Sequence, residues 1–163
     1  MRKTIGWVMA LLVLFFNTSL SQAEAAEYSI GETWTVEGQW SMTVNAVEET
    51  DLRNQFWNQT PAAVYVVSYT YTNLGYTDPL GVMNGLYIGV TDSIVDCANI
   101  MGYEYPIMVT NYPLETPIGA TCKAQAAIGV DNAGLPVKLY VSQYDGHWNK
   151  QTAVFNLDDE SKG

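Results

Sequence analysis

The chain has 163 residues, with 7 Lys or Arg against 17 Asp or Glu and a net charge of −10 at pH 7. That balance excludes a phosphate-binding surface built on clustered cations, so nucleic acid is not an expected partner, and an anionic membrane surface is disfavoured. Two cysteines and one histidine fall short of the usual zinc set, and no metal or cofactor is expected.

Residues 1–25 read as a secretory signal peptide. Arg2 and Lys3 precede an apolar run from Ile5 to Phe16, and Ala23-Glu24-Ala25 supplies an A-x-A cleavage pattern. The run is shorter than the ~20 apolar residues that a bilayer needs, so a membrane anchor is the lesser reading and no span is expected after cleavage. Residues 26–163 then form a single domain that is secreted or displayed at the cell surface. Removing Arg2, Lys3 and Glu24 leaves five basic and sixteen acidic residues, a net charge of −11.

Beyond the leader, alternation of apolar and polar residues predicts strands, and helix signals are scarce. Trp34 to Val36 is a short strand closed by a Glu37-Gly38 turn. Gln39 to Val47 follows, with Trp40, Met42, Val44 and Ala46 on one face. Glu48 to Pro61 is polar and loop-like. Val64 to Thr72 places Tyr65, Val67, Tyr69 and Tyr71 on one face, and the other face turns polar after Val66. The tyrosine face is expected to be the core face, provided that each hydroxyl finds a partner; an exposed aromatic platform is the alternative. Asp78-Pro79 and Gly81 mark a loop, and Leu86 to Thr91 alternates as a strand. Asp92 to Pro117, with three prolines, is irregular. Ala120 to Val130, Val137 to Val141 and Gln151 to Leu157 complete the set, the last two joined through Asp145-Gly146. About seven short strands with intervening turns predict an antiparallel β-sandwich.

Cys97 and Cys122 in an exported chain predict one disulfide, with two free thiols as the alternative. No catalytic set is apparent. His147 lies in the hairpin after Asp145-Gly146 with no serine or cysteine nucleophile placed near it. The acidic groups Glu48-Glu49-Asp51 and Asp158-Asp159-Glu160 do not match a calcium-loop spacing. Phe56, Trp57, His147 and Trp148 fall in predicted loops and are the candidate ligand-binding residues, since loops carry many binding side chains. The alternative is that the two tryptophans fold back over the ends of the sandwich.

The strand ending in Asn73-Leu74-Gly75, the Ile30-Gly31-Glu32-Thr33-Trp34-Thr35-Val36 segment and Thr116-Pro117-Ile118-Gly119-Ala120 before a strand together resemble a family of secreted immunoglobulin-like domains of Gram-positive bacteria. That family is similar in fold to the mycobacterial immunoprotective extracellular antigen. The resemblance spans roughly Ile30 to Leu157 and implies an immunoglobulin-like sandwich with Tyr71, Tyr69 and Val67 facing the core; it implies no catalytic residues. The expected function is a non-catalytic binding module for an extracellular protein or glycan. A structural envelope domain without a ligand is the alternative, and a glycan hydrolase a more distant one.

Overall fold

A computed structural model describes residues 25–158. The expected signal peptide and the acidic tail beyond Asp158 therefore lie outside the described residues. Among the described residues there is no helix, and so none long and apolar enough to cross a membrane. The described residues form nine strands: β1 (Ala26–Ser29), β2 (Thr33–Val36), β3 (Trp40–Glu49), β4 (Ala63–Asn73), β5 (Ile94–Val95), β6 (Tyr103–Glu104), β7 (Thr121–Val130), β8 (Lys138–Tyr144) and β9 (Lys150–Asn156). They form a five-stranded sheet in the order β2-β3-β4-β7-β6 and a four-stranded sheet in the order β1-β9-β8-β5. The two sheets enclose one apolar core as a β-sandwich.

Three departures from the alternation pattern have physical causes. β1 pairs parallel to β9, which their wide separation along the chain permits because no short connection has to join them. In β3 the register shifts between Val44 and Ala46. The extra residue, Asn45, accepts from Thr70 Oγ1 at 2.8 Å, and beyond this bulge Val47 rather than Ala46 packs against the core. Leu86 to Thr91 keeps its alternation, with Leu86, Ile88 and Val90 buried, but forms only a two-way bridge between Leu86 and Thr116.

The tyrosine row of β4 lies in the core. Tyr65, Val67, Tyr69 and Tyr71 are all buried, and each phenol reaches a connection outside the ladders. Tyr69 donates to Ile88 O at 2.9 Å, Tyr71 donates to Leu114 O and accepts from Leu114 N, and Tyr65 accepts from Gly134 N at 3.2 Å. The row thus anchors three irregular segments. Burial, with Cys122 alongside, pushes the Tyr71 hydroxyl up to about 12, and burial raises Tyr69 further still.

The sequence motifs at the strand ends meet in space. Asn73 is fully buried, and its Nδ2 donates to Tyr76 O at 3.1 Å and Thr116 O at 3.0 Å. Its Oδ1 accepts from Gly75 N at 3.0 Å and Tyr76 N at 2.7 Å. Its backbone N donates to Ala120 O and its carbonyl accepts from Gly119 N. Asn-Leu-Gly and Thr-Pro-Ile-Gly-Ala are therefore two halves of one hydrogen-bonded joint that closes this end of the sandwich, with no amide valence of Asn73 left for a ligand.

The disulfide expectation is corrected. Cys97 and Cys122 are both free thiols. Cys97 Sγ lies 3.8 Å from Asn132 O and 3.6 Å from Ala133 O, just beyond the C-terminal end of β7, whereas Cys122 is the second residue of that strand. Eight residues of extended chain separate Cys122 from Val130, about 26 Å at strand rise. A disulfide needs Cα atoms within about 7 Å.

Candidate functional site

The four loop residues expected to bind ligand do not form one surface. Phe56 and Trp57 lie between β3 and β4, at the end where Glu49 pairs with Tyr65. His147 and Trp148 lie in the β8–β9 hairpin, which is tied to the opposite end: Gly146 N donates to Gln39 Oε1, beside the turn where Trp40 pairs with Asn73. The eleven residues of β4 run between the two ends, a length of about 35 Å at strand rise.

The hairpin itself is tightly built. Asp145 is buried, and its carboxylate accepts from His147 N at 2.8 Å, Asn149 N at 2.9 Å and Gln151 Nε2 at 3.0 Å. Desolvation of the carboxyl opposes ionisation, but these hydrogen bonds outweigh it and hold the group down to about 2. Trp148, exposed, takes a positive φ of 64° within this loop and tilts against Tyr144 at 6.3 Å between ring centroids.

A more enclosed site lies at the β7 edge of the sandwich. The inward side chains of β7 include Ala124 and Ala126, small residues set against Tyr69, which pairs with Ala124. The chain after β6 runs beside this edge but does not follow it closely. Tyr105 N donates to Ala127 O at 2.9 Å, and Asn111 O accepts from Gln125 N at 2.7 Å. Residues 106–110 therefore stand opposite a single β7 residue, Ala126, and arch outward. Pro106, lacking an N–H, opens the arch, and Ile107 N turns back onto Tyr105 O at 2.8 Å. Gln125 anchors the far side by accepting from Thr110 N and Thr110 Oγ1.

Under the arch is a cleft of about 450 Å³, with Tyr69 and Ala126 in its lining and Tyr87, Tyr112 and Met108 around it. This volume falls within the range of small-molecule sites. On the other flank of the arch a second hollow of about 400 Å³ is lined by Leu52, Arg53 and Phe56, and the two share Pro106, Ile107 and Met108. Asn54 braces the hollow by donating its backbone N to Tyr105 Oη at 2.9 Å and its Nδ2 to Pro106 O at 2.7 Å. Met108 is 91% exposed at the crest and Phe56 87% exposed, large apolar surfaces that no neighbour covers. Trp57 takes no part in either lining; its Nε1 donates to Gln59 Oε1 at 3.0 Å.

The cleft lining combines aromatic faces with a few polar groups. Tyr87 and Tyr112 offer flat faces with polar edges, Gln125 and Glu104 offer hydrogen-bonding groups, and Glu104 is the one carboxylate in the lining. Among the described residues, no group of three or more His, Cys, Asp or Glu side chains is placed to hold a metal. Of the sequence-predicted residues only Phe56 contributes to this region. Tyr87, Met108 and Tyr112 escaped sequence reasoning because they come together only through the arch; the small-residue run Ala124-Gln125-Ala126-Ala127 was the available signal.

No known protein family matches the sequence. No curated protein matches it either. Among solved structures, the crystal structure of the yjhA protein from Bacillus subtilis is similar, with a TM-score of 0.55 at 14% identity over 80% of this chain and 99% of that one. At that identity the likeness concerns the fold: this chain shares a β-sandwich architecture with yjhA.

Proposed function

We propose that the protein is a non-catalytic binding module, secreted or held at the cell surface, whose ligand lies in the Tyr87–Tyr112 cleft and extends over Met108 toward Phe56. The observation that carries this reading is the pair of adjoining hollows, about 450 and 400 Å³, that share one exposed apolar crest. Two hollows in line suit an extended chain with apolar or flat units, a glycan strand or a protein segment, better than a compact metabolite. Kinship with the secreted immunoglobulin-like domains fits the motif joint at Asn73 and the two-sheet fold, and it motivates the extracellular placement.

The test is co-sedimentation of the protein with purified bacterial cell walls and with insoluble polysaccharides. The reading predicts saturable binding to one of these that falls at least tenfold in a Tyr87→Ala/Tyr112→Ala variant of unchanged thermal midpoint. Binding that is indifferent to both tyrosines would refute the site. Absence of binding to any of these materials, or to peptides displayed in a broad library, would favour a purely structural domain.

A further inference from the structure

The outer edge of β7 is unfinished beneath the arch. Asn73 N donates to Ala120 O, and the β4–β7 register alternates from there, so the even-numbered residues of β7 turn their backbone groups to β4 and the odd-numbered ones to the outer edge. Two bonds on that edge agree: Asn111 O accepts from Gln125 N at 2.7 Å, and Tyr105 N donates to Ala127 O at 2.9 Å. Between them lie two further edge groups, the Gln125 carbonyl and the Ala127 N–H.

In a ladder continued from β6, whose Tyr103 and Glu104 pair with Gly129 and Ile128, Ala127 N would donate to Tyr105 O and Gln125 O would accept from Ile107 N. Neither bond forms. The turn at Pro106 joins those two partners to each other instead, Ile107 N donating to Tyr105 O at 2.8 Å. Among the described residues nothing else accepts from Ala127 N or donates to Gln125 O. Ala127 is 5% exposed, and an unpaired N–H on so buried a residue is rare. Both residues line the cleft of about 450 Å³.

A donor and an acceptor that flank one residue on a strand edge are what a further strand pairs with. Their polarity is fixed and opposite, which is the pattern that consecutive amides of an extended chain repeat. Ala126, the residue between them, is small and leaves room for that chain, while Tyr87, Tyr112 and Met108 flank it with apolar surface for side chains. Glu104 is the one carboxylate of the lining and the protein is acidic, so an acidic segment is disfavoured.

We propose that the cleft takes an extended, non-acidic polypeptide segment that pairs with β7 opposite Ala126, one of its carbonyls accepting from Ala127 N and one of its amides donating to Gln125 O. This rests on the reading of the cleft as the binding site and names its ligand as polypeptide rather than glycan. The probe is a peptide selected from a phage-displayed random library panned on the protein, then synthesised together with analogues methylated at one backbone nitrogen each. Affinity is read by fluorescence polarisation and the Ala127 amide by NMR titration. Alternate amides of an extended segment face away from β7, so one methyl group should cost at least tenfold while its neighbours cost little. The Ala127 amide proton should move downfield and exchange more slowly. Ala127→Pro is the matching change in the protein, since the N–H it removes makes no internal bond and proline is tolerated on strand edges, and it should weaken the peptide at least tenfold. The methyl scan uses the unaltered protein, so the test does not depend on that variant folding. Binding indifferent to every methyl group with the Ala127 amide unmoved, or a library that yields no peptide, would overturn the proposal. Tyrosine-dependent retention on polysaccharide without peptide binding would overturn it while leaving the cleft a glycan site. Peptide binding that ignores Tyr87 and Tyr112 in Tyr87→Ala/Tyr112→Ala would instead refute the cleft itself, and the proposal with it.

Discussion

Replacing Asn73 by Ala tests whether the joint between the two motif halves holds the sandwich closed. The side chain makes four hydrogen bonds, and the partners differ in what they lose. Gly75 N and Tyr76 N both also donate to Gln39 O at 3.2 Å, and Thr116 O still accepts from Leu86 N at 2.8 Å. Tyr76 O is the one partner with no second bond of that kind. At about 1 kcal/mol per bond, reduced for the shared partners and raised by the small void, the expected loss is about 3 kcal/mol. For a domain of this size that corresponds to roughly a 10 °C fall in thermal midpoint, read by circular dichroism. Asn73→Asp sharpens the test. It keeps the acceptor for Gly75 and Tyr76 but sets an oxygen against the carbonyls of Tyr76 and Thr116, so it should be at least as destabilising as Ala at neutral pH. A midpoint within about 2 °C of the parent for Asn73→Ala, or a stable Asn73→Asp, would refute the reasoning.

Gly85→Ala should lower stability by about 3 kcal/mol in urea denaturation, because a Cβ there would meet Thr116 O at 2.2 Å, where backbone on both sides leaves little room to yield. Asp145 has a folded pKa of about 2, below its ordinary value, so the stability it contributes is present above pH ~4 and is lost as pH falls through 2. The gap in urea midpoint between the parent and Asp145→Asn should therefore narrow from pH 5 to pH 2, and a constant gap would contradict the assignment. Thiol labelling of the native protein should modify exposed Cys97 quickly and buried Cys122 only in denaturant, with an intact mass equal to that of the reduced chain.

The sandwich was legible where strands are long and half-buried. β3, β4, β7, β8 and β9 run seven to eleven residues, and their period-two patterns fixed both the strands and, for β4, the buried tyrosine face. The strands missed were β1, β5 and β6, four and two residues long, which exist through the partner they find rather than through their own pattern. The bulge at Asn45 was hidden because a one-residue shift leaves no compositional mark. Leu86–Thr91, bridged to Thr116 at Leu86 but in no ladder, shows the converse: alternation reported burial faithfully and ladder pairing not at all.

The candidate site was less legible than the fold. Aromatic residues in loops were a sound sign of surface exposure, and Phe56, Trp57 and Trp148 are exposed. Their relation in space depended on which end of β4 each loop joins, which the sequence does not state. The cysteine pair failed for the same reason, because spacing along the chain carried no information that Cys97 lies at the far end of β7 from Cys122.

The binding claim is tested most directly by hydrogen exchange on the protein bound to purified cell walls or to the polysaccharide that retains it. The account predicts added protection at the amides of residues 104–113 and 125–127 and of the Tyr87–Thr91 segment, with the β8–β9 hairpin unchanged. Protection centred on residues 145–149 with none under the arch would contradict it.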